Sequence, residues 1–294
     1  MVDMPVTANL LTVDLEEWFV VETLSGRFSR VDWEKLETTV IKNTHRLLQL
    51  FQNKDVTATW FVLGWVAKKY PALIKEISQE GHEIACHSFN HIRVNSMDPE
   101  SFRKDTELAL EAITNATGKQ PVGYRAPSWS IDDSTPWAFD ILCELGFEYD
   151  SSIYPIKHDI YGIPKGPRHT FKMNLESGRT IYEIPASTYR ILGHNFPVAG
   201  GGFLRNSPYW YTKLIMNSLN NDNHPAIVYL HPWEIDRDPP RLEGLTMVQK
   251  FRTYGSTSVF YYKLERLLSD FDFINMSEYI RNIRKKRHIG FHVD

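Results

Sequence analysis

Along the first two-thirds of the chain, short apolar or β-branched runs alternate with segments whose apolar residues recur at helical spacing. Residues 9–14, 57–63, 82–86 and 123–125 read as strands, and residues 33–52, 66–77, 98–117 and 135–146 read as helices. The run 57–63 is aromatic and β-branched, as a buried strand requires. Over 66–77, Val66, Tyr70, Leu73, Ile74 and Ile77 share one helical face, and Gly81 supplies the stop. Asp98-Pro99-Glu100 offers an N-cap, a first-turn proline and an acidic first turn, and Thr135-Pro136 opens the next helix. Strands separated by helices pair in parallel, because each helix carries the chain back across the sheet. The expected fold is therefore α/β, a barrel or an open doubly wound sheet. The later chain is less regular: 155–180 is loop-rich, 181–186 and 226–230 read as strands, and 208–220 as a helix. With no repeat and no low-complexity linker, one domain over 1–294 is expected. It carries a loop-rich late insertion (about 155–205) and a basic C-terminal tail (281–294).

Composition removes several functional classes. Hydrophobic residues make up 42% and charged residues 23% of the 294, which is globular usage. No apolar run approaches the roughly 20 residues that span a bilayer. The N-terminus has no basic segment followed by an apolar one, so a cytoplasmic protein is expected. Cys86 and Cys143 cannot make a disulfide framework, which fits a reducing compartment. The net charge of −3 hides an asymmetry. Arg281, Arg284, Lys285, Lys286 and Arg287 stand against Asp294 in the last 14 residues, which leaves the remainder at −7. An acidic body argues against a nucleic-acid partner.

The chemistry-bearing residues fall where strands end. The first strand runs into Asp14-Leu15-Glu16-Glu17-Trp18, the third into His87-Ser88-Phe89-Asn90-His91, the fourth into Arg125-Ala126-Pro127-Ser128-Trp129, and a late one into Leu230-His231-Pro232-Trp233-Glu234. In a parallel barrel, strand C-termini converge on one face, where active sites lie. His87 and His91, at i and i+4, would lie about 5–6 Å apart if the segment turned helically. With one carboxylate they could hold a divalent metal and leave a position open. Asp14 and Glu16 point the same way in an extended chain, with Leu15 opposite, so one could bind metal and the other take a proton. Strand alternation turns Cys86 away from this site. Arg125 can hold a carboxylate through its fork of donors, and His231 can serve as a general acid.

In their order, Thr12-Val13-Asp14-x-Glu16, His87-Ser88-x-x-His91, Arg125-x-Pro127 and Leu230-His231-Pro232 resemble the motifs of the NodB-homology polysaccharide deacetylases, carbohydrate esterase family 4, over about residues 8 to 235. The strings around Arg125, Gly200-Gly201-Gly202-Phe203-Leu204-Arg205 and His231-Pro232-Trp233-Glu234-Ile235-Asp236 are similar to a bacterial subgroup found with exopolysaccharide and O-antigen gene clusters. The resemblance implies a distorted, usually seven-stranded (β/α) barrel and metal-dependent removal of an acetyl group from an N-acetylated sugar. It gives Asp14 as base, His87 and His91 as metal ligands, His231 as general acid and Arg125 as the partner of the base. It also gives Leu230 as the apolar residue near the acetyl methyl and Trp129 as the groove wall.

Leu15 replaces the family's second aspartate, so Glu16, or failing it Glu17, is assigned to a metal expected to be Zn²⁺. Asp150, Glu183 and Glu234 are candidates to keep His231 protonated. Arg205 is assigned to a substrate carboxylate or phosphate. The alternatives are a metal-independent amidohydrolase similar to the allantoinases, and a carbohydrate-binding relative that has lost catalysis. The basic residues 281–287 suggest peripheral contact with anionic lipid at the inner face of the membrane.

Overall fold

The computed structural model describes residues 7–158, 161–198 and 200–288. The strands are β1 (Asn9–Leu15), β2 (Thr59–Val62), β3 (Glu83–Cys86), β4 (Gly123–Tyr124), β5 (Tyr149–Asp150), β6 (Phe171–Asn174), β7 (Thr180–Glu183), β8 (Thr188–Ile191), β9 (His194–Pro197), β10 (Ile227–Leu230) and β11 (Phe273–Ile274). The helices are α1 (Val40–Asn53), α2 (Gly64–Lys69), α3 (Pro71–Gln79), α4 (Pro99–Thr117), α5 (Trp137–Glu144), α6 (Gly201–Asn206), α7 (Tyr209–Asn221), α8 (Met247–Tyr254), α9 (Thr257–Asp270) and α10 (Met276–His288). Strands β10, β1, β2, β3, β4, β5 and β7 form a parallel row in that order. The antiparallel β6 lies beyond β7, and β11 pairs with the start of β1. This is an α/β fold, a curled parallel sheet as expected of a distorted (β/α) barrel.

Alternation along the strands divides the core. Leu11, Val13, Leu15, Trp60, Val62, Cys86, Val228 and Leu230 belong to the large apolar cluster between sheet and helices. Leu10, Phe61, Ala85, Tyr149, Tyr182 and Ile227 form a second cluster with Met276 and Ile280 of α10. Trp129, Tyr154, Ile156, Ala186 and Tyr229 form a third. One face of each strand thus packs on the outer helices and the other lines the interior, part of which α10 covers, the period-2 pattern of a curled sheet.

The single helix expected over 66–77 is two. Pro71 lacks an N–H and disfavours helical geometry at Tyr70, whose φ/ψ of −130°/57° separates α2 from α3. The helix expected from 33 begins only at Val40, after a 3₁₀ turn at Asp32–Glu34. Asp98 caps α4 as expected, accepting from Ser101 N at 2.7 Å. The insertion expected to be loop contains β6 and a β8–β9 hairpin. Of the basic tail, Arg281 to Lys285 belong to α10, where Arg284 pairs with Glu148 at 2.6 Å. Its last six residues, 289–294, lie outside the described residues. Among the described residues, no helix is long and apolar enough to cross a membrane.

Candidate metal centre and catalytic groove

Asp14 points inward from the end of β1 and is buried. Its Oδ1 accepts from Arg125 Nη1 at 2.6 Å. Arg125 is fully buried, and its other donors reach Thr12 Oγ1 (2.9 Å), Ser151 O (3.3 Å) and Ser151 Oγ (3.1 Å). Phe61 lies 4.0 Å from the guanidinium on one side and Trp129 4.7 Å away. The arginine is therefore a fixed clamp that holds one oxygen of Asp14 and leaves Oδ2 toward the groove.

Glu16 follows two residues on. Its Oε2 lies 2.7 Å from His91 Nε2 and 3.9 Å from His87 Nε2, and its Oε1 3.6 Å from His231 Nε2. Burial alone would raise its pKa, but His91, His231 and His87 hold it at about 2. Glu17, the other candidate ligand, faces elsewhere. Its carboxylate accepts from Thr39 N (3.2 and 3.1 Å) and Val40 N (3.2 Å) at the start of α1, and burial pushes it to about 7. It caps a helix.

The two histidines do not meet on a helical turn. Their segment is a tight loop in which Ser88 (φ 62°) and His91 (φ 55°) are left-handed. Asp105 of α4 pins that loop, accepting from Phe89 N (2.8 Å), Asn90 N (3.2 Å) and Asn90 Nδ2 (2.6 Å). The rings still come within 5.4 Å. His87 Nδ1 bonds Arg125 O at 2.8 Å, and a carbonyl only accepts, so Nδ1 carries the proton and Nε2 presents its lone pair. Burial lowers the His87 pKa to about 4, which keeps it neutral.

One donor atom each of Glu16, His87 and His91 lies within 4.8 Å of the others. Glu16 Oε2 is buried and faces His91 Nε2 at 2.7 Å. One carboxylate oxygen and two imidazole nitrogens converging on one point fit a divalent cation. Glu16, His87 and His91 would hold it.

His231 ends β10 with its Nε2 3.9 Å from Asp14 Oδ2. Its Nδ1 donates to Glu234 Oε2 at 3.0 Å, which also accepts from His231 N at 3.0 Å. Burial would depress its pKa, but Glu16, Glu234 and Asp14 overcome this and hold it at about 9. Asp150 and Glu183, the other candidates, bond Ser152 and Ile153 N instead. They brace the loop whose Ser151 grips Arg125.

Two assignments need correction. Leu230 is fully buried among the outward residues, packed toward the helices, so it cannot meet an acetyl methyl in the groove. Its neighbour Tyr229 alternates inward and lines the groove beside Trp129, 5.1 Å ring to ring. Arg205 meets no substrate anion. It is buried, paired with Glu234, and also donates to Arg252 O and, at 2.5 Å, to Gly255 O. Asp105 and Tyr229 were missed by the sequence reading. The signal for Asp105 was an acid within the buried stripe Phe102-Thr106-Ala109, and for Tyr229 the strand's parity with His231.

The centre opens into a groove of about 660 Å³ that Trp129, Tyr229 and Trp233 line near the histidines. Ser128 (φ 53°) and Trp129 (φ 54°) are both left-handed there, and Ser128 Oγ donates to Glu22 Oε2 at 2.7 Å. Strain of this kind persists where a site holds a side chain in place. Gly200 bridges Tyr229, and a Cβ on it would fall 1.7 Å from the Tyr229 ring. Gly200→Ala is therefore expected to cost about 1–3 kcal/mol and to displace Tyr229, read as a lowered Tm with an altered KM.

Curled parallel sheet, clamped carboxylate, Glu-His-His cluster and strand-end histidine together describe an α/β fold with a candidate metal centre at its strand ends. Residues 38–149 match the polysaccharide deacetylase family, and residues 151–281 match a domain of unknown function, DUF3473. Over residues 38–149 the chain is thus similar to the polysaccharide deacetylases. It is 33% identical over 108 residues to a peptidoglycan deacetylase of Helicobacter pylori (37% of this chain, 36% of that one). It is 31% identical over 91 residues to a chitooligosaccharide deacetylase of Rhizobium leguminosarum bv. trifolii (30% of this chain, 42% of that one). The match thus spans well under half of each relative. A Mycobacterium smegmatis crystal structure assigned to the polysaccharide deacetylases superposes with a TM-score of 0.64 at 19% identity, over 97% of this chain and 94% of that one. The Puue allantoinase superposes at 0.61 and 17% identity, over 93% and 89%, a likeness of fold.

Proposed function

We propose that this protein is a metal-dependent hydrolase that removes the acetyl group from an N-acetylated sugar of a surface polysaccharide or its precursor. The observation that carries the reading is the convergence of Glu16, His87 and His91 beside a clamped Asp14 and a carboxylate-backed His231. Zn²⁺ suits two imidazoles and one carboxylate with an open position, and when bound it supplies polarisation of the acetamide carbonyl and an acidified water.

The chain's own groups divide the remaining work. Arg125 fixes Asp14 Oδ1, so Oδ2 is the oxygen available to take the proton of the attacking water. His231 is held protonated, and because Nδ1–H is committed to Glu234, the proton that reaches the leaving amine comes from Nε2. A cation on Glu16 offsets that residue's share of the support, and Glu234 remains as the anion behind the acid. Trp129 and Tyr229 wall the groove on the side where a sugar ring would lie.

Acetate release from N-acetylated oligosaccharides by metal-loaded protein tests the reading. Asp14→Asn and His231→Ala are each expected to lower kcat by about 10²–10⁴-fold, the usual worth of general acid–base catalysis. Unchanged turnover in either variant overturns the roles, and full activity after chelation overturns the metal dependence.

A further inference from the structure

The groove changes character along its length. Part of its lining is the carboxylates and histidines; another part comes from α6 and α8, with Phe203, Val248 and Phe251 in its wall. These side chains are 43%, 59% and 61% exposed. Helix α8 is oriented opposite to convention. Met247, Val248 and Phe251 form its apolar stripe at i, i+1 and i+4, yet they are exposed, and Thr253 is its one buried residue. A capping box between Thr246 and Gln249 fixes its start. An amphipathic helix ordinarily turns its apolar stripe to the core. Here Val248 and Phe251 of that stripe line the groove instead, where an apolar occupant would cover them.

Arg205 ties this wing to the chemistry. From α6 its guanidinium donates to Glu234, the residue behind His231, and also to Arg252 O within α8 and Gly255 O just after it. One buried side chain thus joins the apolar wall, the helix that carries it and the support of the catalytic histidine. The wall is thus tied by hydrogen bonds to the support of the catalytic groove.

We propose that the α6–α8 wing binds the hydrocarbon chain of an amphiphilic substrate, an N-acetylated sugar carried on a lipid-like aglycone, with the sugar at the Glu16–His231 end and the chain along Phe203, Val248 and Phe251. The proposal rests on the deacetylase reading for the sugar end, and on the placement of the apolar wall for the chain end. Continuity selects this occupant, because the wall and the catalytic centre line one groove.

The test is a series of alkyl N-acetyl-β-D-glucosaminides from methyl to octyl, kept below micelle-forming concentrations, turned over by the metal-loaded full chain. Full burial is worth about 0.8 kcal/mol per CH₂, a factor of about four each, so even a half-exposed wall gives at least about a tenfold fall in KM from methyl to octyl. Phe251→Ser is expected to flatten that dependence, whereas Val259→Ser, on the exposed face of α9, leaves it intact. Alkyl glucosides, which lack the acetamide, are followed in parallel by calorimetry and are expected to show the same chain-length dependence in Kd. Equal KM and equal Kd across the series overturn the apolar subsite even if acetate is released. A chain-length dependence in Kd with no acetate from any glycoside upholds the subsite and overturns the deacetylase reading instead. Binding to lipid vesicles with no chain-length dependence for monomeric ligands means that α8 docks on membrane rather than on substrate, and also overturns the proposal.

Discussion

Glu16→Gln is expected to lose both stoichiometric metal and activity, with acetate release lower by at least about 10³-fold, more than the removal of a single electrostatic contact usually costs. The amide keeps the shape of the side chain but not the charge that balances a divalent cation. The fold should survive, because Glu16 Oε2 accepts no hydrogen bond that the scaffold needs. Thermal unfolding separates site loss from fold loss. A ligand at 100 times its Kd adds about 2.7 kcal/mol to native stability, so added Zn²⁺ should raise the Tm of the parent protein and leave that of Glu16→Gln where it was. Glu17→Gln is the matched control. Its carboxylate binds the backbone at the start of α1, so this variant should keep its metal while losing some stability. Metal retained by Glu16→Gln and lost by Glu17→Gln would reverse the assignment.

That comparison also marks how far the sequence could be read. Alternating periodicity sufficed for the parallel strands, and parity along β1 put Asp14 and Glu16 on one side with Leu15 on the other. The same parity rule, applied to β10, gives Tyr229 and His231 inward and Leu230 outward; carrying a role over to Leu230 by resemblance ignored it. The His87–His91 pair was legible as a pair but not as a loop, because its left-handed residues are a serine and a histidine held by Asp105 of another element. Choosing Glu234 over Asp150 and Glu183 required three-dimensional distances, since all three are acids near strand ends. Arg205 was the least legible. After three glycines it looks like a loop arginine in solvent, and only tertiary packing reveals that it is buried against an acid 29 positions away.

The second large effect follows from that burial. Glu234→Gln leaves the Arg205 guanidinium without its anion in a fully buried setting, which costs about 3–5 kcal/mol. Arg205→Met leaves Glu234 facing only His231, which still partly compensates the charge, so its cost should be smaller. The double variant Arg205→Met with Glu234→Gln removes both charges and should lose less than the two single losses together, by about 0.5–3 kcal/mol, the range for groups in direct contact. Denaturant unfolding of chelated protein measures the cycle, and strict additivity would mean that the pair carries no coupling.

The pH dependence supplies an independent sign. His231 has a folded pKa of about 9, above its unfolded value near 6.5, so the native state binds the extra proton. Its contribution to stability is complete below about 6.5 and is lost as pH rises through about 9. Removing the Glu234 carboxylate lowers the folded pKa, so Glu234→Gln should lose least additional stability at alkaline pH and most near neutrality. In the metal-loaded enzyme the same change should move the basic limb of kcat to lower pH and reduce kcat by about 10–100-fold, the usual worth of a partner one shell out from the chemistry. A purely structural role for Glu234 would lower stability and leave that limb where it is. Arg205→Met should leave the Glu234 carboxylate more basic, as its largest counter-charge is gone, and so move the limb the opposite way. Opposite displacements of one pH limb by two substitutions in one ion pair follow from electrostatic coupling of that pair to His231 and not from packing.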